Sequence, residues 1–108
     1  MLKLNHIQPF IPHFIMKNDT LMILRKKITS IDKQIIDLLD KRNENIVKIG
    51  QFKKKHQLTI KNKQREAILL DELKQYAQQY NINEKTIDEL FEIIIQNSIE
   101  LQHNIINT

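Results

Sequence analysis

The chain has no cysteine, no tryptophan, one glycine and two prolines in 108 residues. The missing cysteine excludes a disulfide scaffold and any thiolate metal site. So little glycine and proline is poor punctuation for a protein of many short strands, and it suits a few long helices. A glycine-rich phosphate loop cannot be built from a single glycine. No run of about 18 apolar residues exists, so a transmembrane helix is not expected. The four histidines (His6, His13, His56 and His103) are scattered, without an HxxxH or HExxH pair, which argues against zinc. The opening stretch "MLKLNHIQPFIPHFIMKNDT" is interrupted by both prolines and shows no small-residue cleavage site, so it does not read as a signal peptide. Residues 1–19 are expected to be a loosely ordered leader, with Met16 and Met22 as alternative starts.

Hydrophobic residues make up 41% of the chain and charged residues 28%, which is the composition of one small globular domain. The net charge of +4 favours an anionic partner: nucleic acid, an anionic membrane or a small polyanionic metabolite. Heavy use of Ile, Asn and Lys fits an AT-rich coding bias and weakens inference from bulk charge. The most basic stretch, "KKKHQLTIKNK", comes without a DNA-binding motif or an aromatic stacking pattern. Neither nucleic acid nor membrane is expected as a partner.

Hydrophobic periodicity predicts an all-α chain of three helices. The first runs from about Thr20 to His56, capped by Asp19 or Thr20. The second runs from about Lys63 to Tyr80 with Leu69, Leu70, Leu73, Tyr76, Ala77 and Tyr80 as its apolar face. "NIN" turns the chain, Asn83 is a candidate N-cap, and the third helix covers about Glu84 to Ile106. Its stripe is Ile87, Leu90, Phe91, Ile94, Ile95, Leu101 and Ile105. A helix of some 35 residues is on the order of 50 Å long, whereas a globule of this size has a radius of gyration of about 13 Å. The two shorter helices cannot cover the whole stripe of the first. An intertwined homodimer solves this; a first helix broken at Gly50 is the alternative.

The apolar stripe of the first helix contains misfits. It passes through Leu24, Ile28, Ile31, Ile35 and Leu38, and at about 100° per residue Arg42 and Lys53 continue the same line. Ser98 and Gln102 interrupt the third helix in the same way, and Arg65 and Glu66 border the inward side of the second. Singly, each has a structural reading: a snorkelling stem, a back-bonded Ser, a Gln reaching a partner backbone, helix-start electrostatics for Glu66. Together they predict a pocket in which one carboxylate faces three cations. Unpaired buried cations are costly, and a ligand with more than one carboxylate would supply the missing charge. No nucleophile–base pair accompanies them, so any chemistry rests on binding, orientation and electrostatics.

The segments "LRKKITSIDKQIIDLLDKRNENIVKIGQFK", "QREAILL" and "IIIQNSIELQ" together resemble the all-α chorismate mutases, most of all the N-terminal mutase domain of bifunctional chorismate mutase–prephenate dehydratases. The resemblance covers about Leu21 to Gln102. It implies an intertwined dimer of three-helix chains that converts chorismate to prephenate in phenylalanine and tyrosine biosynthesis, by an intramolecular Claisen rearrangement without cofactor or metal, in the cytoplasm. Residue by residue, it implies that Arg42 and Arg65 bind the two substrate carboxylates and that Arg25 reaches into the partner chain's site. Lys53 and Gln102 would hydrogen-bond the ether oxygen, Glu66 would accept from the ring hydroxyl, and Ser98 would help hold a carboxylate. Asn62 stands where the family often has Asp near that hydroxyl, which implies altered affinity. Lys53, Glu66 and Gln102 are thus the expected catalytic residues. The chain stops soon after Gln102, so it reads as monofunctional or as one domain of a larger enzyme. An isochorismate–pyruvate lyase on the same fold, and a non-catalytic helical dimer that binds a shikimate-pathway enzyme, are the alternatives.

Overall fold

A computed structural model describes residues 13–108, with side chains from Lys17 onward. Three helices and no strand occur among the described residues: α1 (His13–His56), α2 (Lys63–Gln78) and α3 (Glu84–Ile106). The third helix has the bounds that its periodicity predicts. The first begins earlier than expected: Asp19 and Thr20 lie inside α1 and do not cap it. The described part of α1 already begins at His13, inside the stretch that the two prolines make look broken. The N-terminal part of the expected leader, residues 1–12, lies outside the described residues.

The chain divides into two compact units, one ending at Leu39 and the other spanning Asp40–Thr108. In the first, the described part is helical, and its large apolar side chains are exposed: Leu24 is 49% exposed, Ile28 58%, Ile31 54%, Ile35 51% and Leu38 63%. In the second, the C-terminal part of α1 packs with α2 and α3. Its buried apolar residues are Ile46, Ala77, Ile87 and Ile99, one or more from each helix. Gly50 is buried, and α1 passes through it without a break. A Cβ placed there would lie 3.2 Å from Ile105 Cδ1 and 3.5 Å from Gln102 Cα. α1 and α3 thus approach closely here, and a large side chain at this position would be crowded.

The helix ends follow from local chemistry. Gln57, at a φ of 55°, ends α1, while the Leu58 N–H reaches back to the Lys53 carbonyl at 2.9 Å. Asn81, at a φ of 56°, ends α2, while the Ile82 N–H reaches the Ala77 carbonyl at 3.2 Å. Both are left-handed terminations that close the final turn. Asn83 then caps α3 as expected, its side chain accepting from the Lys85 N–H at 2.7 Å. A Lys74–Asp88 ion pair at 3.2 Å links α2 to α3. Two expectations for α2 fail. The helix stops at Gln78, and Tyr76 and Tyr80 are both 60% exposed, their hydroxyls 3.3 Å apart. Leu90, expected on the buried stripe of α3, is also largely exposed. A phenol accepts an exposed position because its hydroxyl is solvated.

Candidate active site

The second unit contains a cavity of about 310 Å³ whose lining draws on all three helices and the α1–α2 connection. From α1 come Arg42, Ile46, Ile49 and Lys53; from the connection, Ile60 and Asn62. Arg65, Glu66 and Leu69 come from α2, and Ile95, Ser98, Ile99 and Gln102 from α3. The helical registers deliver them. Arg42, Ile46, Ile49 and Lys53 lie at spacings of three and four on one face of α1, as do Ile95, Ser98, Ile99 and Gln102 on α3. Seven of the eight residues singled out in the sequence meet here. The eighth, Arg25, lies in the first unit, where it is exposed and its carbonyl accepts from the Thr29 hydroxyl at 3.1 Å.

Arg42 and Lys53 are half-buried, as their place on the apolar stripe predicts. Burial removes water from both cations and lowers their pKa values from the ordinary ones. Among the described residues no carboxylate lies within ion-pair reach of either. Arg42 donates instead to the Ser98 hydroxyl, and Lys53 Nζ donates to the Ile60 carbonyl at 2.6 Å. Ser98 is 4% exposed and donates its own proton to the Ile94 carbonyl at 2.9 Å. A hydroxyl has one proton, so in this state Ser98 faces Arg42 as an acceptor. Ser98 therefore holds the Arg42 guanidinium.

Gln102 is 6% exposed, and its Oε1 is buried without a hydrogen-bond partner. Buried polar atoms without partners are rare, and they point to a missing ligand or water. Glu66 is the only acid in the lining, and it pairs at 3.5 Å with Lys61, which stands outside the cavity. The pocket is more open than the sequence suggested, since Arg65, Asn62 and Ile49 are exposed. Among the described residues, no group of three His, Asp or Glu side chains is placed to hold a metal.

The structure adds two features that sequence reasoning missed. Asn62 is the N-cap of α2, its Oδ1 accepting from the Arg65 N–H at 3.0 Å. An Asn directly before a helical start is a recognisable cap signal. Lys61 was absorbed into a basic stretch and gave no signal of its own. Chemically, the cavity offers three cations against one carboxylate, plus amide and hydroxyl groups on apolar walls. Its lining carries a net excess of positive charge.

The family model for chorismate mutase type II matches residues 24–103, a span that contains every residue singled out above. The chain belongs to the chorismate mutase type II family. It is 37% identical over 91 residues to the bifunctional chorismate mutase/prephenate dehydratase of Buchnera aphidicola subsp. Schizaphis graminum, covering 84% of this chain and 23% of that protein. The corresponding Escherichia coli K12 protein is 30% identical over 82 residues, 76% of this chain and 21% of that one. The chorismate mutase of Methanocaldococcus jannaschii is 28% identical over 79 residues, 73% of this chain and 80% of its own length. The chain thus spans less than a quarter of the length of these bifunctional relatives and most of the archaeal one.

Proposed function

We propose that the protein is a cytoplasmic chorismate mutase, rearranging chorismate to prephenate. The observation that carries this is the charge count of the cavity: Arg42, Lys53 and Arg65 face a single acid, Glu66. The excess of two positive charges matches a substrate with two carboxylates. Arg42 and Arg65 bind those carboxylates, with Ser98 orienting the Arg42 guanidinium. Glu66 accepts from the ring hydroxyl, and Asn62 lies beside it. Lys53 and Gln102 reach the ether oxygen, where negative charge grows as the C–O bond breaks.

A pericyclic rearrangement needs no base and no covalent intermediate. The catalyst must hold the enolpyruvyl arm over the ring, converting conformational freedom into a reactive geometry. It must also stabilise separated charge better in the transition state than in the ground state. Cations that have already lost part of their hydration meet both demands, because they need little reorganisation when charge develops and act through a lower effective dielectric. The half-buried, carboxylate-free state of Arg42 and Lys53 is what such a site requires.

The active form in this reading is an intertwined homodimer in which Arg25 of one copy completes the site of the other. The exposed apolar stripe of α1 from Leu24 to Leu38 supports it, since a second copy would cover that surface. Purified protein, without added metal, should deplete chorismate absorbance and yield prephenate. Release of pyruvate and salicylate would assign it to the lyase reading, and no rate above background from folded protein would remove the catalytic reading. Sedimentation should give twice the chain mass, and a compact monomer would refute the dimer.

A further inference from the structure

Three consecutive residues in the α1–α2 connection each hold one charged residue of the site. The Ile60 carbonyl accepts from Lys53 Nζ at 2.6 Å. The Lys61 ammonium lies 3.5 Å from Glu66 Oε2. The Asn62 side chain accepts from the Arg65 N–H at 3.0 Å. Lys53 is held at both ends, because its own carbonyl accepts from the Leu58 N–H at 2.9 Å just past the left-handed Gln57. An ammonium has three N–H groups, so the bond to Ile60 fixes Lys53 and leaves two donors for a ligand oxygen.

Glu66 sits on a partition. It lines the 310 Å³ cavity and also a neighbouring one of about 390 Å³, which contains Lys61, Asp88 and Glu92. Lys61 does not line the first cavity. Its contact occupies one carboxylate oxygen of Glu66 and leaves the other to accept. We propose that Ile60–Lys61–Asn62 is a positioning clasp, and that Lys61 is a positioning residue for Glu66: it acts on the substrate only through that carboxylate. The inference rests on the chorismate mutase reading for its substrate, but the rigidity of the clasp does not depend on it.

A double-mutant cycle tests the role of Lys61 with chorismate as the probe. Lys61→Met should lower kcat/KM about threefold to fivefold, mostly through KM, as expected for a partly exposed ion pair that orients a binding group. In a Glu66→Gln background the same substitution should change kcat/KM by less than about 1.5-fold, since uncoupled sites simply add. Lys61→Arg should restore most of the loss. An equal loss in both backgrounds would show Lys61 drawing the anion in directly, and no loss in either would leave it without a role; both overturn the proposal. An inactive wild type would instead overturn the chorismate assignment. Independently of turnover, backbone NMR order parameters for residues 57–62 in ligand-free protein should stay near 0.85, the value of rigid backbone. Values below about 0.6 would overturn the clasp whatever the enzyme does.

Discussion

Replacing Arg42 with Met should separate two quantities that usually fall together. Arg42 donates to the Ser98 hydroxyl and, among the described residues, has no carboxylate partner. Truncating one member of a desolvated, hydrogen-bonded charge pair costs about 2–5 kcal/mol of binding. If the other member is a substrate carboxylate in the transition state, kcat/KM should fall roughly 30-fold to 4,000-fold at tenfold per 1.4 kcal/mol. Stability should behave differently. Desolvation lowers the Arg42 pKa in the folded protein. A base whose folded pKa lies below its unfolded value binds its proton less tightly when folded, so the charge opposes folding at every pH below the folded pKa. Met removes that cost and keeps the apolar stem, and it loses the hydrogen bond to Ser98, worth about 1.5–3 kcal/mol for a charged donor. The two terms oppose each other, so the loss of stability should be smaller than loss of that hydrogen bond alone would give. Chorismate depletion and urea unfolding by circular dichroism, at one fixed protein concentration because the stability of the proposed dimer would depend on it, measure both. A loss of more than about 2 kcal/mol of stability with specific activity retained in the folded fraction would refute the reasoning, since Arg42 would then be structural.

Two further residues, Lys53 and Asn62, probe the same cavity. In the proposed mechanism Lys53 must be protonated to stabilise the ether oxygen, and burial lowers its pKa from the ordinary 10.5; kcat/KM should therefore fall as pH rises through a midpoint below that value, and Lys53→Arg should remove the limb. An unchanged limb in Lys53→Arg would assign it to another group. Asn62→Ala should cost about 1 kcal/mol through loss of the α2 cap, read as a lower melting temperature. Asn62→Asp should keep the cap and stability but raise KM severalfold by adding a second acid to the cavity; a lower KM would contradict the charge count.

How much of this was legible in the chain depends on what each residue obeys. Arg42, Lys53, Ser98 and Gln102 were visible because helical periodicity makes a polar residue on an apolar line conspicuous. The bounds of α3 and its Asn83 cap were visible for the same reason, since the stripe and its capping signal agree. Asn62 and Lys61 were not. Their contacts depend on how the backbone runs from the left-handed Gln57 to the first turn of α2, and no repeat encodes that path. The start of α1 is expected too late because two prolines suggest a break, whereas the described helix already runs from His13. Tyr76 and Tyr80 were assigned inward by spacing alone, which cannot distinguish an apolar ring that packs from one that keeps its hydroxyl in water.

Backbone freedom and small size are separate properties of glycine, and this chain uses only the second. Its one glycine sits in a right-handed helix, against Ile105 and the backbone of Gln102, where any side chain is an obstruction. The two positions that need the left-handed conformation are held by Gln57 and Asn81. Substitution therefore has opposite room at these sites: either turn can become glycine with relief of backbone strain, whereas even a methyl group at Gly50 requires the end of the Ile105 side chain to give by a few tenths of an ångström, and a larger side chain would press on the helix that carries Gln102. Gly50 works as a spacer between α1 and α3, and variation there reaches the cavity that Lys53 and Gln102 line without touching a polar atom.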